Sequence, residues 1–387
     1  MNHQKGLTSV YFVLFLMSLS LHIQFPIFTP FAVALGATTF FVSLIISSSS
    51  LTSFAGHLVA GPLIDQFGKK RFIVFALFCS AFFISCYAFI HRPADLLILR
   101  ILNAVVLSFM GPACLSLLSA YARNSREQGK NMAINGLMIT LANIIAPVLG
   151  GKLNTIVGYK GTFLIIGGCL FVAGVIALIF IREAEAIVVH KKGETHFKAI
   201  LKKPGFIPLL IVGFALMYGN GTLFFELPFL SVEHGLSTAE TGKLFSIMGI
   251  GTLAVLLLFG LNRISAFFRT LSGLMLLSLI YLQMATGIGH LHLATTLFLA
   301  GAVFGLLFPA LTTLVSERVG KAQYGSAFGI LSSTFSLGII LSSILSGSVR
   351  HLVSPYFLAF LVLISSATYI FYDYLKHRSP TATFDQL

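Results

Sequence analysis

The sequence is poor in charge and has no tryptophan. Only 10% of its 387 residues are charged, whereas 57% are hydrophobic. The mean hydropathy of +0.94 lies far above that of soluble globular proteins. A soluble domain of this length has no use for so much apolar surface. The composition therefore excludes that class and indicates an integral membrane protein.

Cysteine is also scarce, and its placement argues against a disulfide framework or a metal centre. The four cysteines, Cys79, Cys86, Cys114 and Cys169, lie in apolar runs without metal-ligand spacing, and we interpret them as packing residues. A phosphate-binding G-x-x-x-x-G-K-[ST] loop is missing too, so ATP is not expected as the energy source. We therefore predict no metal and no cofactor.

Acidic residues are about half as frequent as basic ones, 12 against 25, which gives a net charge of +13. Such an excess could indicate nucleic-acid binding, but its distribution favours a membrane topology. If the N-terminus is cytoplasmic, the inner loops and tails hold 19 of the Lys and Arg residues and the outer loops hold five. This bias predicts a multi-pass protein of the cell inner membrane with both termini cytoplasmic, in contact with lipid and not with nucleic acid.

Twelve apolar runs are long enough to cross a bilayer, which takes about 20 residues of helix. They are approximately 7–34, 39–63, 72–90, 95–121, 131–155, 161–182, 205–231, 239–262, 268–288, 291–316, 324–349 and 354–375. Helices satisfy their own backbone groups in lipid, and the short alternating stretches of a β-barrel are absent from the sequence. The expected fold class is all-α with twelve transmembrane helices.

The second half of the chain repeats the first at an offset of roughly 200 residues. The matching positions are Pro26 with Pro228, Gly36 with Gly235, Gly61 with Gly260, and Pro112 with Pro309. This duplication predicts two pseudo-symmetric six-helix bundles, residues 1–182 and 205–387. We interpret the hydrophilic stretch 183–204 as a solvated cytoplasmic linker.

A short hydrophilic loop between the second and third spans carries the most specific motif. It reads Gly61-Pro-Leu-Ile-Asp65-Gln-Phe-Gly68-Lys69-Lys70-Arg71. The pattern G-x-L-x-D-x-x-G-K/R-K/R resembles the equivalent loop of major facilitator superfamily transporters. The resemblance implies that family's twelve-helix fold, with a site near the bilayer midplane where the two halves meet.

The resemblance also implies a cytoplasmic gate built from Gly61, Asp65, Gly68, Lys69 and Arg71. In this hypothesis Asp65 holds the inner side shut near the start of the eleventh span, around 322–325, and near Arg123 or Arg126. The second copy of the loop, around Gly260, has lost the aspartate and most of the basic cluster.

Glu226 is the acidic residue that falls well inside a predicted span, where a charge is costly, whereas the other acids lie in loops, in tails or at the edges of spans. Tyr218, Thr222 and Glu226 recur at i, i+4 and i+8 and form one polar stripe of the seventh span. Burial favours the neutral form of a carboxyl group, so Glu226 could take up a proton on one side of the membrane and release it on the other. The alternative is a buried acid paired for structure.

Arg100 is the basic residue within a predicted span, and Asn103 follows it on the same helix face. The segment resembles the fourth-helix R-x-x-Q-G signature of proton-coupled transporters, with Asn for Gln and Ala for Gly. The resemblance implies that Arg100 influences proton transfer. The alternative is an arginine that extends to the outer interface.

The fifth span contains Ala142-x-x-x-Ala146-Pro147-x-x-Gly150-Gly151. It resembles the fifth-helix G-x-x-x-G-P-x-x-G-G signature of antiporters, with Ala replacing two glycines. Small residues four apart allow close helix approach, and proline permits a kink. The motif favours export, although ordinary helix packing is the alternative.

In the first span, Gln24 and His22 are further candidates for a substrate cavity. They lie two positions apart, so both are not expected to face the same side of a helix. The repeat aligns Gln24 with Glu226, which makes Gln24 the better candidate. His22 titrates near neutrality and could assist protonation, or it could bond between helices.

We therefore predict a secondary active transporter, functional as a monomer, that exports a small and lipophilic molecule in exchange for protons, and not an enzyme. It resembles the drug:proton antiporters and small-molecule exporters of the family. The first alternative is proton-coupled uptake, or export of an anionic metabolite such as a metallophore. A lipid-modifying membrane enzyme is the second, but the sequence shows no clustered nucleophile and base.

Overall fold

The computed structural model describes residues 2–121, 125–183, 200–258, 263–287, 292–319 and 324–377. All regular elements in these ranges are helical. They are α1 Asn2–Ile23, α2 Phe25–Ala34, α3 Thr39–Phe67, α4 Lys69–Cys86, a 3₁₀ turn Tyr87–Phe89, α5 Pro93–Ala120, α6 Ser125–Phe180, α7 Phe206–Glu233, α8 Thr238–Leu256, α9 Ala266–Thr286, α10 Leu293–Arg318, α11 Tyr324–Val349 and α12 Pro355–His377.

Eleven helical stretches of this described part are long and apolar enough to span a membrane. One of them, Ile134–Phe180, has 47 residues. At about 1.5 Å per residue it is more than twice as long as the hydrocarbon core is thick. Gly158, with φ 68° and ψ −179°, kinks α6 within this stretch and divides it into the fifth and sixth predicted spans. The predicted all-helical membrane fold is confirmed.

The first predicted span is divided in two. α1 ends at Ile23 and α2 starts at Phe25; Gln24 between them keeps helical backbone angles, φ −72° and ψ −22°, but its amide bonds to Leu21 three residues back instead of four. Pro26 lies in the first turn of α2, where its missing N–H costs little. The same proline lacks the N–H that would bond to the preceding turn, which disfavours an uninterrupted helix at this point.

Side-chain caps fix where the second helix of each half begins. The Thr38 hydroxyl accepts a hydrogen bond from the Phe41 amide at the start of α3, at 3.2 Å. At the start of α8, Ser237 and Glu240 form a reciprocal capping box. The Ser237 amide donates to the Glu240 carboxylate at 2.8 Å, and the Glu240 amide donates to the Ser237 hydroxyl at 3.2 Å.

The described helices form two compact units. The first comprises residues 1–191 with 224–249, and the second comprises 192–223 with 250–387. The last turns of α7 and most of α8 thus belong to the first unit. The predicted boundary between six-helix bundles stays a prediction, and 184–199 of the predicted linker lies outside the described residues.

Within the first unit, α1 and α4 pack against α6, and α3 packs against α5. Its core holds Val10, Ile27, Ile73, Leu77 and Phe163, all fully buried. Within the second unit, α9 packs against α10 and α12. The opposite faces of several helices are apolar and exposed, as in α4, where Phe75 and Phe82 are 61% and 65% exposed. Such faces are suited to lipid.

Candidate functional site

Arg100 is held inside the first unit by three elements. Its Nη1 atom donates to Oε1 of Gln24 at 2.8 Å. Its guanidinium carbon lies 4.5 Å from the centre of the Phe28 ring, which is a cation–π contact. The fully buried Tyr87 lies near Arg100, although its hydroxyl makes no hydrogen bond to the described residues. The half-buried side chain is therefore fixed at the break in the first span.

Gln24 links that break to Arg100. Its backbone amide bonds to Leu21 at 3.3 Å, so the carbonyl of Ser20 is left for another donor. The side-chain Nε2 of Gln24 supplies it, at 2.9 Å, while Oε1 accepts from Arg100. Gln24 is 2% exposed. Its amide thus replaces a backbone donor on one side and orients a cation on the other.

Asn103 follows Arg100 by one turn of α5 and is 1% exposed. Its Oδ1 atom accepts no hydrogen bond from the part of the chain that the structure describes. A buried acceptor next to the Arg100–Gln24 pair is the kind of group that a polar ligand atom satisfies.

Glu226 belongs to the same unit and is 2% exposed. It lies in the last turns of α7 beside Phe225, which is 1% exposed. The first unit therefore contains Glu226 as well as Gln24, Arg100 and Asn103.

An aromatic cluster of three phenylalanines, Phe25, Phe224 and Phe245, lies next to His22. The Phe25 ring centre is 4.5 Å from Phe224 and 5.8 Å from Phe245, and the latter two rings stack at 5.3 Å. The His22 ring meets Phe25 edge-on at 4.9 Å. Nδ1 of His22 lies 2.6 Å from the Ser18 carbonyl oxygen, so this nitrogen is engaged within its own helix.

Tyr218 and Thr222 lie in the second unit, unlike Glu226. Both are buried, and the Thr222 hydroxyl donates to the Tyr218 carbonyl at 3.0 Å. That bond lies within the helix and leaves the role of the polar stripe open, so the assignment of both residues to a substrate cavity stays a prediction.

The small-residue motif of the fifth span makes close backbone contacts in the first unit. Ala142, Ala146 and Pro147 are buried. A Cβ atom at Gly150 would collide with the carbonyl oxygen of Ile23, and one at Gly151 with that of Thr238. These glycines therefore allow α6 to touch the break after α1 and the start of α8.

Polar contacts reinforce the second of these approaches. The Thr238 hydroxyl donates to the Gly151 carbonyl at 3.2 Å and accepts from the Asn154 side chain at 3.1 Å. Because Thr238 begins α8, this pair of bonds joins two helices at one end of the unit.

The segment predicted as a hydrophilic loop is almost entirely helical: residues 61–67 end α3, Gly68 alone lies between the helices, and residues 69–71 begin α4. Glu183, far along the chain, anchors this start of α4. The carboxylate of Glu183 accepts the backbone N–H groups of Lys69 and Lys70, at 2.9 and 2.8 Å. It thereby caps the N-terminus of α4, where a negative charge is favourable. A separation of more than 110 residues hid this pairing from any local pattern.

A second contact fixes the end of α6 beside this cap. The Tyr121 hydroxyl donates to the Arg182 carbonyl at 2.7 Å and accepts from the Arg182 amide at 3.2 Å. The last residues before the predicted linker are thus bonded to the start of α4 and to the residue that follows α5.

The side chains of several gate residues lie outside the described part of the structure. The backbone of Gly61 and Asp65 lies in α3, but their side-chain surroundings are not described, nor are those of Arg123 and Arg126. Gly68 links α3 to α4. The gate therefore stays a prediction.

The remaining two gate residues are described. The Lys69 side chain is 5% exposed, while Arg71 is exposed. No group of three or more His, Cys, Asp or Glu side chains suited to a metal ion occurs among the described residues. The four cysteines are free thiols, and Cys114 is buried.

Comparison with known proteins agrees with this architecture. The family model of the Major Facilitator Superfamily matches residues 10–381. A multi-drug resistance efflux pump, PmrA of Streptococcus pneumoniae, is 23% identical over 90% of this chain and 90% of its own length. An uncharacterised transporter of the same type, MJ1560 of Methanocaldococcus jannaschii, is 23% identical over 90% of this chain and 92% of its own.

Among solved structures, a bacterial homologue of the human lysosomal transporter Spinster has the same fold. It superposes with a TM-score of 0.79 at 16% identity, over 98% of this chain and 99% of that one.

Proposed function

Because the chain belongs to the major facilitator superfamily of membrane transporters, we propose that it exports a small, lipophilic molecule in exchange for protons. It is a multi-pass membrane protein of a transporter family and not of an enzyme family. We place it, as part of the proposal, in the cytoplasmic membrane as a monomer with both termini inside.

The burial of Glu226 carries this proposal. An ionised carboxylate within the membrane costs at least about 2.5 kcal/mol on insertion scales. An acidic residue at such a position therefore indicates a functional role. Protonation changes its charge from −1 to 0, which changes its affinity for its surroundings and for a substrate. Substrate and proton then compete for the same group.

The Arg100–Gln24 pair supplies a fixed positive charge in the same unit. A fixed positive charge favours the ionised form of a carboxyl group that shares its low-dielectric surroundings. In the proposed cycle Arg100 thus tunes the ease with which Glu226 releases its proton.

The aromatic cluster supports a lipophilic substrate. Phe25, Phe224 and Phe245 offer flat apolar surfaces beside His22 and near the break at Gln24. Aromatic side chains with a few polar groups are typical of small-molecule sites. The PmrA relative is described as a multi-drug efflux pump, which fits such a surface.

The membrane potential is sufficient to drive export. One elementary charge that crosses 100 mV gains about 2.3 kcal/mol, which corresponds to a roughly fifty-fold concentration ratio. The exchange needs no nucleotide.

The test is transport into proteoliposomes with an imposed pH gradient, for wild type, Glu226→Gln and Glu226→Asp. Glu226→Gln keeps the shape of the protonated acid but cannot cycle, so uphill accumulation should disappear while substrate binding persists for an uncharged substrate. Glu226→Asp should keep part of the activity. Glu233→Gln, on the exposed end of the same helix, is the matched control. Uphill transport by Glu226→Gln would place the coupling group elsewhere.

An anionic substrate is the second candidate, because Arg100 is a cation inside the first unit and a guanidinium has five N–H donors, of which Gln24 accepts one. A carboxylate substrate would pair with the guanidinium. In the same vesicles, transport of organic anions that is lost in Arg100→Gln and kept in Glu226→Gln would favour this candidate.

A further inference from the structure

The second unit has a cavity of about 240 Å³ that none of the residues discussed above lines. It lies where α7 and α9 begin and α10 and α12 end. By the predicted topology this end of the helices faces the cytoplasm. The cavity is therefore expected at the level of the inner lipid headgroups.

Arg318 provides the cationic side of the cavity. It is the last residue of α10, and its guanidinium lies against Gly205. A Cβ atom at Gly205 would be 3.0 Å from both Cζ and Nη1 of Arg318, so glycine leaves room for the guanidinium. The planar donors of arginine match the geometry of a phosphate group.

An acid and an aromatic pair provide the other lining groups. Asp373 and Tyr374 come from the last turns of α12, and Phe267 comes from the first turn of α9. The Phe267 and Tyr374 rings stack with centres 4.2 Å apart. A carboxylate and aromatic faces together suit a primary ammonium group.

Exposed apolar side chains lie next to the cavity in sequence. Ile207, Phe268, Phe371 and Leu375 are 50%, 50%, 44% and 51% exposed. They belong to three of the helices whose ends line the cavity. A ligand with a polar head in the cavity and apolar chains in the membrane matches this arrangement better than a soluble one.

We propose that this cavity binds the headgroup of a phospholipid that carries a primary amine. The phosphate pairs with Arg318, the ammonium lies at Asp373 and the stacked rings, and the acyl chains follow the exposed apolar residues. A quaternary ammonium keeps the positive charge but cannot donate a hydrogen bond to Asp373, and phosphatidylglycerol has no cation to place there. The proposal concerns a site separate from Glu226 and goes beyond the proposed transport function.

The absence of tryptophan provides a direct assay. Phe268→Trp introduces a single indole next to the cavity in a chain that has no other. Its fluorescence, excited where tyrosine does not absorb, is quenched by phosphatidylethanolamine with brominated acyl chains. The full-length protein in mixed micelles is then titrated with unbrominated phosphatidylethanolamine, phosphatidylcholine or phosphatidylglycerol as competitors.

We expect phosphatidylethanolamine to displace the brominated lipid about ten times more effectively than the other two lipids, as one charge-assisted hydrogen bond predicts. In Asp373→Asn, phosphatidylethanolamine should displace the brominated lipid no more effectively than phosphatidylcholine does. Arg318→Gln should weaken binding of all three lipids, and Arg318→Lys should restore part of it. Lys202→Gln removes an exposed cation near the site and should change nothing.

Equal competition by the three lipids, or an unchanged preference in Asp373→Asn, would overturn the proposal. Soluble phosphoethanolamine is tested as a further competitor in the same assay. If it competes as well as the lipid does, the ligand is a soluble phosphate ester and the lipid assignment is wrong. A variant that no longer elutes as a monodisperse protein is replaced by Arg318→Lys or Asp373→Glu, for which intermediate binding is expected.

Discussion

The two copies of the repeat treat the same proline differently. Pro26 and Pro228 occupy matching positions, yet the chain breaks before Pro26, whereas α7 runs through Pro228 without interruption. In the first copy the Gln24 side chain donates to the Ser20 carbonyl that a broken helix leaves open. The matching residue in the second copy is Glu226, which has a carboxyl group in place of the amide and no amide N–H to donate. A proline alone does not decide a break.

The turns that follow these helices are alike. In the first copy the Ala37 amide bonds to the Ala32 carbonyl at 3.0 Å, and in the second the Leu236 amide bonds to that of Ser231 at 2.8 Å. The matching glycines both have positive φ, 91° at Gly36 and 65° at Gly235. The duplication thus preserves the turn and alters the membrane interior, where function is expected.

The starts of the third helices differ again. α4 is capped by Glu183, which lies far along the chain, whereas α9 is capped by its own Ser265 at 3.4 Å. One copy depends on tertiary contact for a task that the other performs locally.

The largest effect is expected from an exchange of the two matching polar residues. The double variant Gln24→Glu with Glu226→Gln moves the carboxyl group to the other copy. Beside Arg100 an acid at position 24 stays ionised and cannot donate to the Ser20 carbonyl, so gradient-driven transport should remain absent. The measurement is substrate flux against an imposed pH gradient, with Gln24→Glu alone as the reference. Recovery of uphill transport in the double variant would show that the two positions are interchangeable.

A smaller effect is expected where glycine permits close helix approach. Gly150→Ala places a Cβ atom against the Ile23 carbonyl, and Gly338→Ala places one 2.6 Å from that of Phe214. Because backbone atoms must shift, each should cost about 1–3 kcal/mol of unfolding free energy. Gly168→Ala in α6 and Gly329→Ala in α11 meet nothing within 4 Å and are the matched controls. Thermal unfolding in detergent measures all four. Equal stability of test and control variants would contradict the predicted close packing.

The smallest effect is expected at the two caps. Glu183→Ala should lower stability by about 1–2 kcal/mol, and Ser265→Ala by about 0.5–1 kcal/mol, because the first removes two charge-assisted bonds and the second one neutral bond. The loss of stability in Glu183→Gln should lie between those of wild type and Glu183→Ala. The exposed Glu317→Ala should leave the stability unchanged. The same unfolding assay applies. Should Ser265→Ala prove the more damaging, the local cap would be the stronger one.

The sequence by itself determined the number and approximate bounds of the membrane spans and the family, because apolar run length and loop charge are local properties. It also singled out Gln24, Arg100, Asn103 and Glu226 as candidates, since a polar residue within an apolar run can be recognised from the sequence alone.

The tertiary structure alone decided which partners these residues have. Tyr87 and Phe28 at Arg100, the cap of α4 by Glu183, and the cluster of Phe25 with Phe245 join residues that lie far apart along the chain or whose type is common everywhere in it. Phenylalanine occurs 38 times in this sequence, so its pattern cannot distinguish a ring that faces lipid from one beside a buried site. Only packing makes that distinction, because it fixes which face of each helix turns inward.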